Sequence, residues 1–276
     1  MDKFHLKVNK IQKKNKIKAF KSKDKDKKKN KSNEKKTLYP KNPKIGLVIG
    51  THGSEGFIRL QLASRKKNYP DIPVLVHDDS SSRGSQLKKI CDSHKNVEFI
   101  STPYHYGWCP GDVNALLFGL NWAVDNNIDI LVKFSRRFIP LVSFSDELLR
   151  IAKKSQCPTF SNICHVWGYG FRTEAYAVST KAWLNRLDII KETIDYHVNR
   201  GRHTFFVEPV IHSWAVETYN EYKHLVNKDF KGYGKGFARW NLLTNYRCRK
   251  NDMHLWHHSN HINDYKSMAN KLGVEF

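Results

Sequence analysis

The sequence predicts an α/β protein: a three-layer α/β/α sandwich, Rossmann-like, around a mostly parallel mixed central sheet. Two observations predict it. Short apolar, β-branched runs recur between residues 45 and 134, and each is followed by a segment with helical spacing of its apolar residues. Strand and helix therefore alternate over roughly 100 residues, the pattern of a sheet covered by its own connecting helices. At 276 residues with 39% hydrophobic content, the chain is long enough to bury a proper core.

The first strand is KIGLVIG. It ends at Thr51-His52-Gly53, and Ser54 is placed to cap a helix carrying Phe57, Leu60 and Ala63. IPVLVH (72–77) is the second strand; it ends at Asp78-Asp79-Ser80-Ser81 and leads to a helix with Leu87, Ile90 and Cys91. NVEFIS (97–102) is the third. A loop containing Gly107 and Gly111 follows, then a helix expected to start near Asp112, with Val113, Leu116, Leu117, Leu120 and Val124 on one face. IDILVKF (128–134) is the fourth strand, and Ser145 opens the next helix.

Beyond it, GFRTEAYAVS (170–179) alternates like a strand. Residues 181–199 read as one helix and HTFFV (203–207) as a strand, before a helix opened by Glu208-Pro209. A Gly- and aromatic-rich loop (230–240) precedes a terminal helix at 262–272, with Gly273 just past its end.

The charge is uneven. Residues 1–44 hold 18 lysines against four acids, a net +14 of the whole chain's +22, which leaves +8 for residues 45–276. Such a segment cannot bury enough apolar surface to offset chain entropy, so 1–44 is read as a disordered Lys-rich tail and 45–276 as a single domain. The tail could hold an anionic partner, RNA or a membrane surface, by charge alone; the alternative is a solubilising tail with no dedicated partner.

No apolar run reaches membrane-spanning length and no apolar leader opens the sequence. The five cysteines are odd in number and contain no C-x-x-C pair, so they are read as reduced thiols of a cytoplasmic protein. No RNA-recognition motif or zinc finger lies in the body.

In sheets of this kind ligands sit beyond the carboxyl ends of the strands. That rule gathers Thr51-His52-Gly53, Asp78-Asp79, Pro103–Tyr106 and Ser135-Arg136-Arg137 onto one rim. Here the residues resemble the GT-A nucleotide-diphospho-sugar transferases, in particular the family-2-like glycosyltransferases, over about 45–265. GLVIGTHG looks like their first strand and nucleotide-contacting loop. VLVHDDSSS is similar to their second-strand carboxylate element, and GDVNALLFGLNWAVDNNIDILVKFSRRFIPL to the stretch that ends in a D-x-D triplet.

The resemblance implies a GT-A fold, a nucleotide-sugar half (45–142) and an acceptor half (143–276). It also implies an enzyme of hexosyltransferase type that moves a sugar from a nucleotide-diphospho-sugar, UDP-sugar favoured, to an acceptor hydroxyl, with inversion. That acceptor is an unknown glycan, protein or small molecule. A non-catalytic relative that binds nucleotide or glycan is the alternative.

One departure stands out: the D-x-D register reads Ser135-Arg136-Arg137. Two metal-holding carboxylates have become two fixed cations, and hard ions need oxygen ligands. Arg136 and Arg137 can instead clamp the diphosphate and meet the charge that develops on the leaving group. No cofactor is therefore expected, with Mn2+ or Mg2+ as the alternative.

The nucleotide-binding candidates are Thr51, Gly53, Asp78, Asp79 and Asp112. One of the two adjacent carboxylates would accept from a uracil N3–H, the other would face the ribose; an Asx turn is the structural alternative. For Asp112 helix capping comes first. The resemblance puts the general base at the start of a late helix, where Glu208 stands with Pro209 in place of the second acid; Glu174 is the second choice. His257 and His258 are candidates for phosphate contact.

Overall fold

The structure is a computed structural model that describes residues 37–161, 173–201, 207–230, 233–234, 236–240, 254–255 and 262–276. The residues up to 36 lie outside these, as do 202–206 with their expected strand and the His257-His258 pair.

Strands β1 (Ile45–Thr51), β2 (Val74–Asp78), β3 (Val97–Ser101) and β4 (Ile130–Ser135) alternate with helices α1 (Glu55–Asn68), α2 (Gly84–Asp92) and α3 (Trp108–Asp125). The helix α4 (Ser145–Ser155) follows a short strand β5 (Ile139–Pro140). Then come β6 (Thr159–Ser161), β7 (Ala175–Ser179), α5 (Thr180–Trp183), α6 (Leu187–Asn199) and α7 (Val207–Tyr222). The chain ends with β8 (Tyr233–Gly234), β9 (Phe237–Arg239), β10 (His254–Leu255) and α8 (Ile262–Leu272).

The main sheet has the order β3-β2-β1-β4-β7-β6-β9-β8. β1, β2, β3 and β4 pair in parallel, whereas β7 runs antiparallel to both β4 and β6. The predicted mixed, mostly parallel α/β sandwich is therefore what the chain forms. β1, β2 and β4 are buried almost throughout because helices cover both faces. On one face α3 lies so close to β1 that a Cβ at Gly119 would stand 2.8 Å from Val48 Cγ1. On the other, Ile58 and Leu62 of α1 and Leu148 and Ile151 of α4 join the main core.

Four local expectations are corrected. The body begins at Thr37 and not at residue 45: Leu38 and Tyr39 are buried, and the Tyr39 hydroxyl donates to the Cys157 carbonyl at 2.6 Å. The lysines around these two side chains conceal them in a composition count. Ser54 adopts a left-handed conformation and makes no side-chain cap on α1. The expected helix at 181–199 is broken into α5, a tight turn at Leu184–Arg186, and α6. β7 is buried at every position, so it sits inside the sheet and does not alternate.

The terminal helix occupies the predicted span, and Gly273 follows it with φ +67°, the left-handed geometry that closes helices. Among the described residues no helix is long and apolar enough to cross a membrane. Cys91 and Cys157 are buried thiols, each pushed up to about 12 by that burial.

Candidate functional site

The strand order reverses between β1 and β4. β1 leads outward to β2 and β3, while β4 continues on the opposite side. At such a switch point sheets of this kind form a crevice at the carboxyl ends of their strands. The register puts Thr51, Asp78 and Ser101 in one row and pairs Gly50 with Ser135, so the predicted rim residues do come together.

On the β1–β3 side two buried carboxylates organise the loops. Asp78 Oδ1 accepts from the Gly53 N–H at 3.0 Å, and Oδ2 accepts from the Ser81 N–H and hydroxyl, both at 3.0 Å, and from the Ser101 hydroxyl at 3.1 Å. This is the Asx-turn alternative extended across three loops. Asp79 Oδ1 accepts from the Tyr106 N–H and Oδ2 from the Gly107 N–H, each at 3.0 Å, which pins the loop before α3.

Both carboxylates are thus engaged inside the fold, and the expected uracil and ribose contacts would have to share their oxygens with these bonds. Two glycines serve the arrangement. Gly53 holds φ +65°, and a Cβ at Gly111 would lie 2.5 Å from Asp79 Oδ2. Thr51 is buried, and its hydroxyl donates to the Gly53 carbonyl.

The β4–β7 side is built differently. Lys133 points from β4 toward α3 with its side chain 1% exposed, and it forms an ion pair with Asp112. Asp112 therefore does not cap its helix. α3 begins at Trp108, four residues earlier, with Gly107 at the N-cap position and Pro110 in the first turn. Lys133 Nζ also donates to the Thr173 carbonyl at 3.2 Å, and the Thr173 hydroxyl donates to Glu208 Oε1 at 3.3 Å.

A continuous polar line, Asp112–Lys133–Thr173–Glu208, thus runs from α3 across β4 to the start of α7. Glu208 is half-buried, second in its helix, where the positive end of the dipole favours a carboxylate. Glu174 lies beside it in sequence, and its carbonyl accepts the Ser135 N–H at 2.8 Å. Lys133 was not among the candidates; a lysine inside the otherwise apolar run ILVKFS was the signal that marked it.

The two arginines part company. Arg136 is half-buried over the crevice, and its Nη1 donates to the His52 carbonyl at 3.2 Å. Burial first, and the neighbouring Arg137 second, hold its pKa below the ordinary guanidinium value. No carboxylate among the described residues pairs with it. Arg137 turns onto α1: its guanidinium carbon lies 5.7 Å from the centre of the Phe57 ring, and its carbonyl accepts the Tyr265 hydroxyl at 2.8 Å. Of the two candidates Arg137 is thus drawn into the α1–α8 packing, while Arg136 stays over the strand ends.

His77, also missed, is fully buried under α3 with its ring 5.0 Å from that of Phe118. Burial holds it neutral, its pKa lowered to about 4, and neither ring nitrogen has a hydrogen-bond partner among the described residues.

No family model matches the sequence, and no curated protein matches it. Solved structures do. One is the mannosyltransferase PcManGT from Pyrobaculum calidifontis in complex with GDP-Man and Mn2+, at 14% identity over 55% of this chain and 50% of that chain, with a TM-score of 0.43. Another is TarS 1–349 of S. aureus in complex with UDP-GlcNAc, at 13% identity over 52% and 47%, with a TM-score of 0.42. A third is the galactosyltransferase LgtC in complex with donor and acceptor sugar analogues, at 10% identity over 62% and 70%, with a TM-score of 0.43.

The chain spans about half the length of the first of these solved structures. At such low identities and TM-scores the likeness decides nothing about substrate, and the α/β Rossmann-like class rests on the strand order and pairing above.

Proposed function

We propose that the chain is a glycosyltransferase that binds a nucleotide-diphospho-sugar, UDP-sugar favoured, in the β1/β4 crevice and transfers the sugar to an acceptor hydroxyl. The observation that carries the reading is Arg136. A half-buried guanidinium at a topological switch point, bonded to one backbone carbonyl and with no carboxylate partner among the described residues, is suited to an anionic ligand. A diphosphate supplies paired oxygens for such a fork. The order of the sequence motifs supports the sugar-nucleotide class over other phosphate ligands.

The chemistry follows from the residues. Glu208 accepts the acceptor's proton as its oxygen attacks C1. The bond from C1 to the β-phosphate oxygen breaks, its electron pair leaves with the nucleoside diphosphate, and Arg136 meets the added charge. A single displacement inverts C1. Thr173 orients Glu208 from one side, and Lys133 anchors Thr173 through its carbonyl. Thr51 and Gly53 line the loop that the nucleotide would approach. The end of β4 offers one hydroxyl and two cations, a donor set that does not fit Mn2+ or Mg2+, so the transfer is read as metal-independent at this position.

The alternative, a nucleotide- or glycan-binding protein without turnover, is favoured by one observation: Asp78 and Asp79 are both occupied in bracing loops. Donor hydrolysis and transfer assays across UDP- and GDP-sugars separate the two. Turnover that disappears in Glu208→Gln supports the transferase; nucleotide binding with no turnover for any donor supports the alternative.

A further inference from the structure

The loops that leave β1, β2 and β3 bring His52, Asp79 and His105 together, and the transfer proposed above uses neither imidazole. One ligand atom from each of the three lies within 4.8 Å of the other two. The two rings lie face over face, 4.1 Å between centroids and 35° apart. Nδ1 of His52 is 2.8 Å from the Asp79 carbonyl oxygen, and Nδ1 of His105 is 3.1 Å from the same atom and 3.0 Å from Asp79 Oδ2.

A carbonyl oxygen can only accept, so each ring presents Nδ1–H to it and keeps its lone pair on Nε2. This is how metal-binding histidines are held: one N–H on a carbonyl or carboxylate, the other nitrogen toward the ion. Both histidines are exposed, so an ion can enter, while Asp79 is buried and fixed by two backbone N–H groups. For one ion to sit on both Nε2 atoms at about 2.0–2.1 Å, with water completing the coordination, the two rings must converge on it from their 4.1 Å centroid separation.

We infer that His52 and His105, oriented and charge-balanced by Asp79, form a binding site for a borderline divalent cation such as Zn2+, Co2+, Ni2+ or Cu2+. Imidazole nitrogens select these ions over Mg2+ and Ca2+, which require oxygen ligands. The site differs from the D-x-D position at the end of β4 in its residues, its loops and its ligand chemistry. It goes beyond the transferase reading and does not depend on it.

The test titrates the full chain, stripped of metal, with Zn2+ alone by calorimetry and with Co2+ by visible absorption. The wild type is expected to bind one ion in the micromolar range or tighter and to develop Co2+ bands of nitrogen coordination, with no heat from Mg2+. His52→Asn and His105→Asn should each weaken binding at least tenfold, the double variant should abolish the bands, and Asp79→Asn, which keeps the orienting carbonyl but removes the carboxylate charge, should weaken binding roughly 10–100-fold. Far-UV circular dichroism establishes that each variant is folded.

Absence of Zn2+ binding by the wild type, or equal binding by the folded double variant His52→Asn/His105→Asn, overturns the site. UDP binding in metal-free buffer tests the transferase reading separately.

Discussion

Both sides of the crevice are built on carboxylates, yet they use them in opposite ways. On the β1–β3 side, every oxygen of Asp78 and Asp79 accepts at least one bond from backbone N–H groups or nearby hydroxyls. On the β4–β7 side, Asp112 meets one buried ammonium and Glu208 meets one hydroxyl. The difference teaches where reactivity can reside. A carboxylate with several short bonds to its own loops is part of the frame, whereas Glu208, whose one bond among the described residues is long at 3.3 Å, keeps a lone pair for an incoming proton. The first side shapes the pocket; the second carries the chemistry assigned to it.

The comparison can be broken most severely at Glu208. Glu208→Gln keeps the shape and the Thr173 contact but removes the base, so transfer should fall by roughly 10²–10⁴-fold while UDP affinity stays constant. Steady-state kinetics beside calorimetry on the same preparation checks this. An unchanged rate would remove Glu208 from the chemistry.

Lys133→Met strikes the polar line itself. It leaves Asp112 without its cation, and breaking a buried pair from one side costs about 3–5 kcal/mol. The expected value is toward the lower end, because the Asp112 side chain is 23% exposed. Urea unfolding at neutral pH reads it, and a loss below about 1 kcal/mol would show that the pair contributes little.

His77 sharpens the comparison by adding pH. Above the ordinary imidazole value of 6.5 it is neutral in both folded and unfolded chains. As pH falls below 6.5 the unfolded imidazole takes a proton that the folded one refuses until about 4. Stability therefore drops across that window, by up to roughly 3 kcal/mol, and this contribution levels off below it. His77→Phe should flatten the profile between pH 6.5 and 4 in urea melts; an unaltered profile would place the acid sensitivity elsewhere.

Much of the first side was legible in the sequence. β1 to β4 were visible because each is a short apolar, β-branched run closed by small polar residues, and the sheet-end rule then gathered Thr51, Asp78 and Ser135 correctly. What the residues do there was less legible. Asp78 and Asp79 look alike in the sequence whether their oxygens face a ligand or a loop, since Ser81, Ser101, Tyr106 and Gly107 reach them only through the fold. Arg136 and Arg137 are adjacent and chemically identical, and only the packing of Phe57 and Tyr265 separates them. Lys133 carried a usable signal, a charge inside a buried strand, because such a charge must find a partner.

The account stands or falls on Arg136, and the smallest expected effect gives the most direct test. Calorimetric titration with UDP should show binding by the wild type, a loss of about 1.5–3 kcal/mol in Arg136→Ala as one charged hydrogen-bond contact disappears, and a change below about 1 kcal/mol in Arg137→Ala, whose guanidinium faces the half-buried Phe57 ring. Binding by Arg136→Ala equal to that of the wild type, or a loss confined to Arg137→Ala, would contradict a diphosphate site in the β1/β4 crevice.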